Sequence, residues 1–127
     1  MTETAAIRIA VPTEGPGGID ATRSGHFGHA DSFTLVEVAD AHIVGDTVLV
    51  NPPHAQGGCA MTVSMLANAG VQTAIVVGMG GGPLAAMSRS GMTALFDSES
   101  PTPRAAVEAY LAGKAQPFGG DHVCSGH

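Results

Sequence analysis

The apolar stretches of this chain are short, and each gives way to glycine, proline or a polar turn. They are Ile7–Val11 before Pro12, Phe33–Val38, Ile43–Val50 before Asn51, Val71–Val77 before Gly78, and Met92–Phe96. β-branched runs of about four to eight residues bounded by turn formers read as strands. They are far below the roughly 18 apolar residues that a membrane span needs. The four residues Ala39–His42 between the second and third runs predict an antiparallel hairpin.

Helical signals appear only in the second half. Met61, Met65 and Ala69 recur at helical spacing over Cys59–Ala69, with Gly70 as a C-terminal cap. Pro83 at a first helical position and Gly91 bracket a helix over Pro83–Ser90. Thr102 as N-cap, Pro103 and a closing Gly113 bracket Arg104–Ala112. The order β, β, β, α, β, α, β, α predicts an α/β domain with helices over a mixed sheet, three-layered or close to it. The expected organisation is one domain over residues 1–113 and a flexible tail over 114–127, too polar to pack as a helix.

Five Lys and Arg against eleven Asp and Glu give a formal net charge of −6, and charged residues are 13% of the chain against roughly 25% in an average soluble domain. Nonspecific nucleic-acid affinity comes mainly from cations that neutralise phosphates. Arg8, Arg23, Arg89, Arg104 and Lys114 are scattered, so no nucleic-acid partner is expected. The start MTETAAIRIAVP has no basic residues leading into an apolar stretch, so the expectation is no secretory signal, no membrane partner and a cytoplasmic location. In a reducing compartment Cys59 and Cys124 are expected as free thiols or metal ligands.

Four groups of residues are candidates for chemistry. Ser24-Gly25-His26-Phe27-Gly28-His29 sets two imidazoles three residues apart within Thr13–Asp31, 19 residues without periodicity. Structureless loops of that length are often functional, neutral imidazole ligates borderline metals, and glycine lets backbone approach a bulky ligand. Loop histidines that are exposed or bonded to loop carbonyls are the alternative. His54 precedes Cys59, and a thiol at a helix N-terminus is held towards thiolate by the helix dipole. A buried cysteine acting as a small apolar residue competes with that reading.

Gly78-Met79-Gly80-Gly81-Gly82 joins a strand to Pro83, and successive glycines leave amides free to face an anion at a helix start. The segment lacks the spacing, the acidic ribose partner and the lysine of nucleotide loops, so another anion fits better. In the tail, Asp121, His122, Cys124 and His127 are ligand types within seven residues, without the paired cysteines of a structural zinc site; disorder is the competing reading. Catalysis has less behind it. A Cys59 nucleophile with His54 as base has no evident third orienting residue, and Ile7–Val11 carries none of the carboxylates that two-metal phosphodiester chemistry needs.

IAVPTEG, SGHFGHADSFTLVEV, NPPHAQGGCAM, LANAGVQTAIVVGMGGGP and AVEAYLAGK with its DHVC tail together cover nearly all of residues 7–127. In these pieces the chain resembles the dinitrogenase iron-molybdenum cofactor biosynthesis family, the small domain of NifX, NafY and the C-terminal part of NifB. The pairing of the SGHFGHA loop with the strand–GMGGGP turn is its specific part. The resemblance implies an RNase H-like three-layer domain with a five-stranded mixed sheet flanked by helices and no hydrolytic activity. It implies binding or carriage of an iron-sulfur or molybdenum-containing cluster or precursor, passed between donor and acceptor proteins by a monomer or weak homodimer. Carried over, the positions are His26, His29, Cys59, Met79–Gly82 and Cys124 with its neighbours His122 and His127.

Two thiols cannot hold a four-cysteine cluster. Histidine and backbone groups, a shared dimer site or the cargo's own sulfide must complete the shell, and an open shell suits transient carriage. The other function considered is a regulatory small-molecule or phosphate-ligand domain that uses only Gly78–Gly82.

Overall fold

Alternation along the strands decides the layering of this computed structural model, which describes residues 7–25, 27, 30–51, 58–78 and 81–117. In β1 (Ile7–Thr13), Ala10 packs with Phe33, Leu35, Ala74 and Val76, while Ile9 and Val11 pack with Val36, Val38, Ile75 and Leu95. Neighbours along a strand face opposite sides, so one sheet has two cores. The remaining strands are β2 (Ser32–Ala39), β3 (His42–Val50), β4 (Val71–Val76), β5 (Thr93–Phe96) and β6 (Gln116–Pro117). Helices α1 (Gly58–Asn68) and α2 (Gly81–Arg89) cover the first face through Val63, Leu66, Ala86 and Met87. Helix α3 (Pro103–Leu111) covers the second through Ala106 and Val107.

The sheet order is β3-β2-β1-β4-β5-β6. β1 pairs antiparallel with β2 and parallel with β4, β4 pairs parallel with β5, and the β2–β3 hairpin is antiparallel. The expected mixed α/β sheet between helices is present, with six strands instead of five. The sixth comes from the polar C-terminal segment: Phe96 and Leu95 pair with Gln116 and Pro117. Backbone pairing at a sheet edge needs no apolar side chains, so the composition of 114–127 gave no sign of it.

Three boundaries move for local reasons. β1 continues through Pro12, whose carbonyl accepts from Ser24 N–H at 2.9 Å on the edge away from β2. Its nitrogen faces the same edge, past the Arg8–Ala10 stretch where β4 pairs, so no ladder donor is lost. The four-residue hairpin turn is tighter: Asp40 and Ala41 alone form it, with φ of 55° and 63°, the left-handed pair of a two-residue hairpin. Helix α2 starts at Gly81, ahead of the expected Pro83, so two of the five loop residues Gly78–Gly82 are its first turn.

Other signals match the structure. Gly70 and Gly113 follow α1 and α3 with φ of 84° and 79°. Thr102 is the N-cap of α3, its hydroxyl accepting from Ala105 N–H at 3.1 Å. Arg8 joins layers, sending Nε and Nη2 to Glu37 on β2 and Nη1 to the Ala69 carbonyl just after α1.

Candidate functional site

β1, β4 and β5 run in one direction, and β3, antiparallel to β2, runs with them. Their carboxyl ends therefore lie at one end of the sheet. The SGHFGH loop leaves from the end of β1, the chain towards His54 leaves from β3, and Gly78 follows β4. Register confirms the alignment, because Thr13 pairs with Ser32 and Ser32 with Val50. α1 runs back to feed β4, so its first turn, with Cys59 as second residue, belongs to this end, as does the start of α2. Stretches that lie apart along the sequence thus converge.

The loop after β1 is more ordered than its lack of periodicity implied. Gly15, Gly17 and Gly18 have positive φ. A Cβ on Gly17 would stand 2.7 Å from Ser32 Oγ and 3.0 Å from Thr13 Oγ1. Those two hydroxyls lie 2.7 Å apart, and Thr13 Oγ1 is 3.1 Å from Thr34 Oγ1. Thr34 accepts from Gly18 N–H at 3.0 Å, Ser32 donates to the Gly15 carbonyl, and Asp31 accepts from Gly15 N–H at 2.7 Å. Further along, Thr13 bridges to Arg23, and Glu14 N–H donates to the Thr22 carbonyl.

Of the expected site residues, Ser24 is buried, Gly25 is exposed, and the Phe27 ring is 2% exposed in the core under α1 and α2, 5.5 Å from the Phe33 ring. Gly78 directly precedes the turn into α2, and Gly81 and Gly82 open that helix. His26, Gly28, His29, His54, Met79, Gly80, His122, Cys124 and His127 lie outside the described residues. Among the described residues, no three His, Cys, Asp or Glu side chains are grouped to hold a metal ion. β6 runs antiparallel to β5, so at Pro117 the chain is heading away from the carboxyl end of the sheet. No helix among the described residues is long and apolar enough to cross a membrane.

Two residues at this end are not singled out by sequence. Arg23, with 4% of its side chain exposed, donates from Nη1 to the Ser100 carbonyl at 3.0 Å and stands 3.7 Å from Asp97 Oδ1. Asp97 follows β5, and its N–H donates to the carbonyl of Val76 at the end of β4. Burial lowers the Arg23 pKa, and the Asp97 charge opposes it. Burial raises Asp97, but the Ser100 hydroxyl, the Glu99 and Ser100 amides and the Arg23 charge outweigh it and hold the carboxyl below its ordinary range. A lone arginine in a glycine loop and the Asp-Ser-Glu-Ser turn before Pro101 are the only sequence signs of the pair.

With this geometry in place, comparison with known proteins is informative. No curated protein matches the chain in sequence. Among solved structures, the apo form of the orange protein from Desulfovibrio gigas is similar at 26% identity, over 93% of this chain and 98% of that one, with a TM-score of 0.78. A Thermotoga protein provisionally assigned as NifB shares the fold at 22% identity, over 87% of this chain and 92% of that one, with a TM-score of 0.71. A Methanocaldococcus jannaschii protein provisionally assigned as a dinitrogenase shares it at 11% identity, over 90% and 96%, with a TM-score of 0.70. The family profile described as dinitrogenase iron-molybdenum cofactor matches residues 5–113. The chain belongs to that family.

Proposed function

We propose that this protein binds and carries an iron-sulfur or molybdenum-containing cluster, or its precursor, without turning it over. The observation that carries the reading is convergence: the segments holding the SGHFGH loop, the first turn of α1 and the glycine turn into α2 all meet at the carboxyl end of one sheet, in a chain of the iron-molybdenum cofactor family. Such clusters are anionic and sulfur-rich. Amides at two helix starts suit their charge, and thiolate and imidazole suit their metals. In this reading His26, His29, His54 and Cys59 are ligands, and Ser24, Gly25, Gly28 and Gly78–Gly82 line the cargo. Phe27 anchors its loop, and His122, Cys124 and His127, on the tail that follows the 1–113 domain, are further candidate ligands. Donor and acceptor proteins exchange the cluster with a monomer or weak homodimer in the cytoplasm. The 3-2-1-4-5 strand order with an antiparallel β2 supports placing the fold among RNase H-like domains.

Replacing ligands tests the assignment. Cys59→Ser and His26→Ala should each lower the iron, molybdenum and sulfide retained after anaerobic loading and desalting, with thermal unfolding of the apo forms unchanged. Full retention in both variants would remove the ligand assignment. Stabilisation by phosphate-bearing compounds that ignores Cys59→Ser would favour the regulatory-domain reading.

A further inference from the structure

Two other arginines show which edge of the guanidinium this fold turns to carboxylates. Arg104 sends Nε and Nη2 to the two carboxylate oxygens of Asp20 at 3.0 and 3.1 Å. Arg8 sends the same two nitrogens to Glu37 at 3.1 and 2.8 Å. At Arg23 that edge is unpaired: Nε and Nη2 are buried and have no hydrogen-bond partner. Asp97 does not fill it. Its Oδ1 faces the third nitrogen, Nη1, and its oxygens are already occupied by the Glu99 and Ser100 amides and the Ser100 hydroxyl. Burying two donors of a cation without acceptors costs the full desolvation penalty, and a bound acceptor recovers it.

The position of the unpaired edge is informative. Residues 22–24 hydrogen-bond along β1 at Pro12–Glu14, on the edge where β4 pairs with Arg8–Ala10 further back. Arg23 therefore stands in line with β4, beyond its carboxyl end. From there its side chain reaches Ser100, past the end of β5, and β4 lies between β1 and β5 in the sheet. The guanidinium thus lies past the carboxyl ends of β4 and β5, on the sheet face that α3 covers, because its bridge partner Thr13 shares the face of Ile9 and Val11. Open α/β sheets take ligands at this place, outside the carboxyl ends of their strands.

We propose that the Nε–Nη2 edge of Arg23 is the receptor for a tetrahedral oxyanion, of the class that includes molybdate and inorganic phosphate. A planar fork of two N–H donors matches two oxygens of such an anion. Admission requires the 22–24 chain to move, since the two nitrogens are buried. The site goes beyond cluster carriage and stands on this geometry whether or not a cluster is carried.

Sodium molybdate and inorganic phosphate, titrated separately into the full chain, test it through the arginine Nε–H resonances and by calorimetry, with Arg23→Lys alongside. The expected result is a saturable shift of the Arg23 Nε–H signal with one equivalent bound. Arg23→Lys, which keeps the charge and loses the fork, should bind roughly tenfold to a hundredfold more weakly. Tighter molybdate or tighter phosphate both support the site and identify its source. An Arg23 signal that stays fixed while an anion saturates the wild type, unchanged affinity in a folded Arg23→Lys, or no binding of either anion at millimolar concentration overturns it. Cluster loading measured on the same samples keeps the two readings apart: loading that survives with no anion binding removes this site alone, and anion binding without loading removes carriage alone.

Discussion

Gly17 carries more of the loop's geometry than any side chain in it. Its φ of +76° and the 2.7 Å approach of Ser32 Oγ to a would-be Cβ combine a left-handed backbone with a contact no side chain can accept. Gly17→Ala should lower stability by about 2–4 kcal/mol in urea unfolding, from left-handed strain plus overpacking. Gly25→Ala, where a Cβ meets nothing within 4 Å and φ is ordinary, should stay within about 0.5 kcal/mol of wild type. Equal effects at the two sites would contradict this account of the loop. Sequence shows both as glycines in one glycine-rich stretch, and the positive φ and the tertiary neighbours Thr13, Ser32 and Val48 of Gly17 tell them apart. Asp40 and Ala41 are hidden in the same way: the pair is not the Asn-Gly or Asp-Gly signature, so its left-handed turn could not be read ahead of the structure.

Elements were most legible where a chemical signal marks their ends. Thr102 and Gly113 delimit α3 because a hydroxyl acceptor and a left-handed glycine are local devices, and Thr102→Ala should cost about 1 kcal/mol, read as a lower unfolding midpoint. An unchanged midpoint would mean the cap bond at Ala105 contributes nothing. β6 and the early start of α2 were illegible, since an edge strand without apolar residues and a helix opened by two glycines carry no propensity signal. The β5–α3 connection adds a pH dependence. The Asp97 carboxyl titrates below its ordinary value of 3.8 when folded, so its contribution to stability is complete above that value and is lost as pH falls through the folded one. Asp97→Asn should be less stable at neutral pH and should lose less further stability on acidification below 3.8 than wild type does. Parallel acid limbs for the two proteins would remove Asp97 from the acid response.

At the scale of the molecule, parallel β1, β4 and β5 with a β2–β3 hairpin bring the described residues 14–25, 27, 30–31, 51, 58–59, 78 and 81–82 to one end of one sheet. The individual motifs were legible as residues suited to metals and anions. Their meeting was not, because it depends on strand order, which no spacing along the chain encodes. The buried Arg23 was also invisible, since an arginine in a polar loop reads as solvated until the bridge from Thr13 and the bond to Ser100 place it. The most direct measurement of the central claim is anaerobic: incubate the full chain with ferrous iron and sulfide, with and without thiomolybdate, desalt, and determine iron, molybdenum and sulfide per chain with the visible spectrum. Cluster carriage predicts coloured protein holding metal and sulfide in fixed ratio to the chain. Colourless, metal-free protein under every condition would contradict it.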